Sequence, residues 1–230
     1  MPHSLLLNID KAADVSGDVR EYSMTAALRH WVLLIKLNAL FVLFSLPLIT
    51  LPAAYCATVD IMHDLLRDQY REPFMLARFS ATFRGSFNRA LSAGFIFACV
   101  QIICISSVYF YGVLATTHLF YSVFCAVAFA LMVMNLLAAC YFYTALSLYP
   151  TLTFRQLLKV ALYSVLLKPW TVLLGISAVM LIWVAHLLTY PYSLFFPVFI
   201  SLSIGVLILT FTSVKGVNLA FEMLHDKTKK

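Results

Sequence analysis

The chain has 230 residues, 63% of them hydrophobic and only 11% charged, less than half of the roughly 25% charged residues of a soluble domain. Charge is absent from three runs of 23, 65 and 46 residues, which lie between Lys36 and Asp60, Arg89 and Arg155, and Lys168 and Lys215. With a mean hydropathy of +0.92, this excludes a soluble enzyme, a nucleic-acid-binding domain and a disordered chain. It predicts one all-α domain over residues 1–230, a polytopic membrane helix bundle of about five transmembrane helices plus amphipathic interfacial helices.

Residues 1–30 form a polar arm in which Lys11, Arg20 and Arg29 alternate with Asp10, Asp14, Asp18 and Glu21. Met1–Arg29 lacks the apolar core of a signal peptide, so the first apolar segment is expected to stay in the mature protein. That segment, residues 31–59, is the first predicted span. Trp31 opens it, Lys36 can snorkel to the interface one turn in, and Pro47 and Pro52 kink or end it. Two arrangements satisfy this pattern. One is a kinked continuous span. The other is a re-entrant hairpin that turns back at Pro47–Pro52, with its irregular backbone covered by other helices.

Residues 60–89 read as a basic amphipathic cytoplasmic segment. Met75, Phe79, Phe83 and Phe87 recur every four residues on one helical face, with Arg71, Arg78 and Arg89 along its flank. A helix lying in the interface has this layout, rings toward the lipid and guanidinium groups toward the phosphates. The 65-residue run divides at Thr116-Thr117-His118 into a second span, 90–115, and a third, 119–148. Residues 150–168 repeat the amphipathic idea, with Phe154, Leu158, Ala161, Leu162 and Val165 on one face beside Arg155 and Lys159. Pro169 opens the fourth span, 169–189. The fifth is 194–214, and residues 215–230 form a tail with Val217, Phe221 and Leu224 on one side.

Orientation follows from the basic residues. Counted with five spans, the 60–89 loop, the 155–168 loop and the tail hold twelve Lys/Arg on one side, and the N-terminal arm with Lys36 holds four. The positive-inside rule puts the twelve, and the C-terminus, in the cytoplasm. A re-entrant first segment would put all sixteen there.

Motifs for catalysis or cofactors are not evident: there is no phosphate-cradling loop, HExxH or nucleophile elbow. No cofactor or metal site is expected, nor an enzyme. The five cysteines lie in apolar stretches and read as small buried hydrophobes. Asp60 and His63 are three apart and could chelate a metal, but two ligands are incomplete. The blander reading is a helix laced by Asp64–Arg67 and Asp68–Arg71 pairs. Asn38, Gln101 and Asn135 read as polar glue between helices, Ser201 and Gly205 as a small-xxx-small packing pair, and His186 as an interfacial histidine. The carboxylate-free spans count against a proton- or sodium-coupled transporter. The candidate functional break is therefore the first segment, at Asn38, Pro47, Thr50 and Pro52. The candidate interfacial or partner contacts are Phe79, Phe83, Phe87, Arg78 and Arg89.

The stretch from Asn38 through Ser45-Leu-Pro47-Leu-Ile-Thr50 to Phe83-Arg84-Gly-Ser-Phe87-Asn88-Arg89-Ala90 resembles the YesL-like family of bacterial integral membrane proteins, a domain of unknown function. Leu51-Pro52 stands where that family often has a Gly after the Thr. The resemblance implies a bacterial cell (plasma) membrane and an association with carbohydrate uptake, with ABC importer subunits or a membrane sensor as partners. The expected function is a non-enzymatic accessory or regulatory component. The alternative is a small transporter or channel in its own right. The lipid bilayer is the expected surrounding in either case, and no nucleic-acid partner is expected.

Overall fold

A computed structural model describes residues 22–70, 75–190, 192 and 201–229. Among them the chain is helical, with no strand: α1 Met24–Arg29, α2 Trp31–Ser45, a 3-10 turn Leu48–Thr50, α3 Leu51–Leu66, α4 Met75–Ala115, α5 Tyr121–Leu148, α6 Phe154–Leu167, α7 Pro169–Leu188 and α8 Leu202–Lys229. The all-α polytopic bundle expected from composition is what forms.

Four helices, α4, α5, α7 and α8, are long and apolar enough to cross a membrane. The first predicted span behaves differently. The Ser23 amide donates to the Leu66 carbonyl at 2.9 Å, Tyr22 Oη lies 3.2 Å from His63 Nε2, and His30 Nε2 lies 3.4 Å from Asp68 Oδ1. The two ends of the segment therefore meet, so residues 31 and 59 cannot sit on opposite faces of a bilayer. The single kinked span over 31–59 is replaced by a returning hairpin, α2–turn–α3. Its arms of 15 and 16 residues are about 22–24 Å long at 1.5 Å per residue, short of the roughly 30 Å hydrocarbon core.

The expectation for the first amphipathic segment, 60–89, is also corrected. No separate interfacial helix precedes the second span, because Met75–Ala115 is one helix of 41 residues, about 60 Å long. No proline interrupts it, and its first turns are held by α3 rather than by lipid. A turn at 116–120 separates α4 from α5, and α6 and α7 meet at Lys168-Pro169. The buried face of α6 is Leu157, Val160, Ala161, Ser164 and Val165, turned from the expected one, so that Leu162 is exposed. The start of the fifth predicted span lies outside the described residues. From Leu202 onward the span and the tail form one helix, with Val217 and Phe221 buried.

Helix α8 is central. It packs against α2, α3, α5, α6 and α7, whereas α4, α5 and α7 turn apolar side chains such as Phe95, Ile102, Val127, Leu174 and Leu181 outward. An apolar exterior of that extent suits lipid, not water. Two glycines set how closely helices approach. A Cβ on Gly216 would lie 2.7 Å from Tyr141 Cε1, and one on Gly175 would lie 2.5 Å from Thr212 Oγ1. Polar glue recurs as expected: Asn135 Nδ2 donates to Gln101 Oε1 at 2.8 Å and to the Phe97 carbonyl at 3.1 Å.

Candidate functional site

The hairpin has a tip and a base, and the candidate residues divide between them. At the tip, α2 stops at Ser45, and Pro47 has no N–H with which to continue the ladder. Thr50 completes the turn. Its amide donates to the Pro47 carbonyl at 2.8 Å, and its hydroxyl reaches the carbonyls of Phe44 at 2.5 Å and Pro47 at 2.7 Å. The Phe44 and Pro47 carbonyls at the break are thus satisfied locally. Pro52 does not form a second break. It occupies the first turn of α3, where the backbone N–H groups have no intrahelical partner.

Pro52 instead contacts α4. A Cβ on Gly94 would lie 2.7 Å from Pro52 Cγ, so the tip docks where only glycine admits it. Beside this contact an open apolar groove of about 770 Å³ runs between Leu48, Ile49 and Leu51 of the tip and Leu91, Phe95 and Ile96 of α4. Leu48 is 80% exposed and Phe95 71%, so the groove faces whatever surrounds the bundle. Asn38 lies away from it. Buried in α2, Asn38 accepts from the Ser203 amide at 2.8 Å and the Ser203 hydroxyl at 3.0 Å, fastening α2 to the first turn of α8. The structure thus brings Pro47, Thr50 and Pro52 together and assigns Asn38 to helix packing.

At the base, Arg78 is clamped by α3. Its Nε donates to Asp60 Oδ2 at 2.8 Å, its Nη2 to Asp60 Oδ1 at 3.0 Å, and its Nη1 to Asp64 Oδ2. Thr82 Oγ1 adds a bond to Asp60 at 3.1 Å. Burial pushes the Asp64 carboxyl up, but the bonds and charge of His63 and Arg78 outweigh it and hold Asp64 below its ordinary value. Arg78 therefore does not reach toward lipid phosphates as expected. It ties the start of α4 to the end of α3. The expected Asp64–Arg67 and Asp68–Arg71 lacing is likewise replaced: Asp64 turns to Arg78, Asp68 to His30, and Arg71 lies outside the described residues.

The phenylalanine stripe faces inward rather than toward lipid. Phe79 is fully buried; Phe44 of α2 sits 5.1 Å from both Phe79 and Phe83, and Phe83 is 5.6 Å from Phe87, centroid to centroid. Arg89 caps the turn after α5, donating to the carbonyls of Pro150 at 2.7 Å and Leu152 at 3.2 Å. Among the described residues no group of three or more His, Cys, Asp or Glu is placed to hold a metal ion; Asp60 and His63 turn to different partners. His186 bonds Ser201 at 2.7 Å. Two features escaped the sequence reading, the Asp60–Asp64–Arg78 clamp and the Gly94 dock. The first had a signal, since carboxylates at i and i+4 on one face call for a cation from elsewhere.

Residues 34–108 match the model of a family described as protein of unknown function, DUF624. The match covers about a third of the chain and takes in the hairpin, the clamp and the Gly94 dock. No curated protein and no solved structure matches the chain.

Proposed function

We propose that the chain is a non-enzymatic accessory or regulatory component of carbohydrate uptake in a bacterial plasma membrane. The groove at the hairpin tip carries this reading. Its exposed apolar walls from the tip and α4 suit a partner's transmembrane helix, since helix contact in lipid depends on van der Waals packing and shape. The polar side chains nearest the break are engaged in closing the turn, which favours a docking role over a transport path. The YesL-like resemblance of Asn38–Ala90, within the matched residues, supplies the link to ABC importer subunits or a membrane sensor. The meeting of the hairpin's two ends supports an arrangement in which residues 22–30, the 60–89 and 155–168 segments and the tail share one side, and the positive-inside rule favours the cytoplasm for that side.

The test is a photo-crosslinking residue at Ile49 or Phe95 in the native membrane. An importer permease or a sensor recovered from these positions, and not from Leu174 on α7, supports the reading. Adducts with lipid alone would overturn it. Adducts with a second copy of this chain, together with solute flux in liposomes, would favour the alternative, a small transporter or channel.

A further inference from the structure

Helix α4 carries three arginines, and two of them are spent inside the protein. Arg78 is clamped by Asp60 and Asp64, and Arg89 holds the carbonyls of Pro150 and Leu152. Among the described residues Arg84 is engaged by no neighbour, and it is exposed. It begins a row on one face of the helix. Arg84, Asn88, Ser92 and Phe95 follow at steps of four and three residues, and all four are exposed. The Ser92 hydroxyl turns back onto the Asn88 carbonyl at 2.8 Å. The space beside the row is open, since a Cβ on Gly85 would meet no atom within 4 Å. At its upper end, Ser92 and Phe95 line the apolar tip groove. Arg84 lies about 16 Å from Phe95 along the axis at 1.5 Å per residue. Groove and row are therefore one continuous face, apolar at the hairpin tip and cationic toward the clamp.

We propose that Arg84 selects the helix that docks in the tip groove, by pairing with a carboxylate that the helix carries about three turns from its contact with Phe95. This rests on the docking reading of the groove given above. A helix seated against Leu91 and Phe95 that follows α4 toward the clamp lies over Asn88 and Arg84. Such a contact takes the guanidinium out of water, and a covered charge without a counter-charge opposes binding. An Asp or Glu of the partner removes that penalty, because the planar guanidinium matches a carboxylate with two parallel bonds. A Lys or Arg at the same place would be repelled. Arg84 thus acts as a filter against wrong helices as well as an anchor for the right one.

The experiment places a photo-crosslinking residue at Phe95 or at Asn88 of the full chain in native membranes. Arg84 is left intact or replaced as Arg84→Lys or Arg84→Glu. We expect the same protein at both positions, with an Asp or Glu within one turn of the residue linked at Asn88. Arg84→Glu should lower the Phe95 adduct, per folded protein, about tenfold or more, and Arg84→Lys by less. Exchanging the partner's acid for Lys should lower the wild-type adduct and restore that of Arg84→Glu. A Phe95 adduct that survives Arg84→Glu would overturn the filter and leave the groove reading standing. Absence of any protein adduct at Phe95 in the wild type would overturn both. Equal loss with Arg155→Glu on α6 would overturn the filter in favour of diffuse charge attraction. Lipid at Asn88 beside protein at Phe95 would overturn it in favour of a headgroup contact. Should Arg84→Glu fold poorly, the exchange in the partner decides on the wild-type chain: loss of the adduct supports the pairing, and its retention refutes it.

Discussion

Arg78→Ala removes the guanidinium that bridges Asp60 and Asp64. Three N–H groups donate to two carboxylates, one of them bidentate. Arg78 is 39% exposed and the carboxylates 22% and 23%. Exposed pairs contribute about 0–1 kcal/mol, whereas removing one member of a buried pair costs about 3–5 kcal/mol. The clamp lies between these limits, and solvent reaching Arg78 argues for the lower half, so a loss of about 2 kcal/mol is expected. Part of it is repulsion between Asp60 and Asp64 once their shared cation is gone. Arg78→Lys should recover some of the loss, because an ammonium keeps the charge but cannot fork across Asp60. Reversible denaturant unfolding in mixed micelles measures these values. The stringent version is a double-mutant cycle with Asp60→Ala, for which a coupling of about 1–2 kcal/mol is expected. Additive single effects, to within about 0.5 kcal/mol, would refute the idea that this clamp joins α3 to α4.

Single cysteines placed at Thr25 and Asp68 in a cysteine-free background should label from one side of the membrane, and one at Thr117 from the other. Labelling of the first two from opposite sides would restore the continuous span. Asp64→Asn should destabilise the protein at neutral pH. Because the folded carboxyl titrates below its ordinary value, its contribution is present above about pH 4 and is lost as pH falls through the folded value; a difference from wild type that grows in acid would contradict this. Phe79→Ala empties a fully buried site and should cost about 3–5 kcal/mol, whereas Leu48→Ala at the exposed tip should leave the melting temperature unchanged. Gly216→Ala forces a Cβ to within 2.7 Å of Tyr141 Cε1, and overpacking of about 1–3 kcal/mol should appear as a lower unfolding midpoint.

The division between lipid and water was legible in the sequence because it is written as runs of uncharged residues, and each such run must be helical to satisfy its own backbone in hydrocarbon. Pro169 at a helix start and the Thr116-Thr117-His118 turn were legible for the same reason, since their effects are local. The role of Asn38, Gln101 and Asn135 as polar glue was legible from the scarcity of polar groups in the spans. What the sequence left open was direction. Pro47 and Pro52 are compatible with a kinked span or a hairpin, and only the meeting of Ser23 with Leu66 and of His30 with Asp68 decides between them. The amphipathic stripe at Phe79, Phe83 and Phe87 showed that one face is apolar. Periodicity cannot say whether such a face meets lipid or protein, because both are equally apolar. Tertiary structure decided that, by placing Phe44 against the stripe and Asp60 and Asp64 around Arg78, contacts between residues 14 to 39 positions apart that no local pattern encodes.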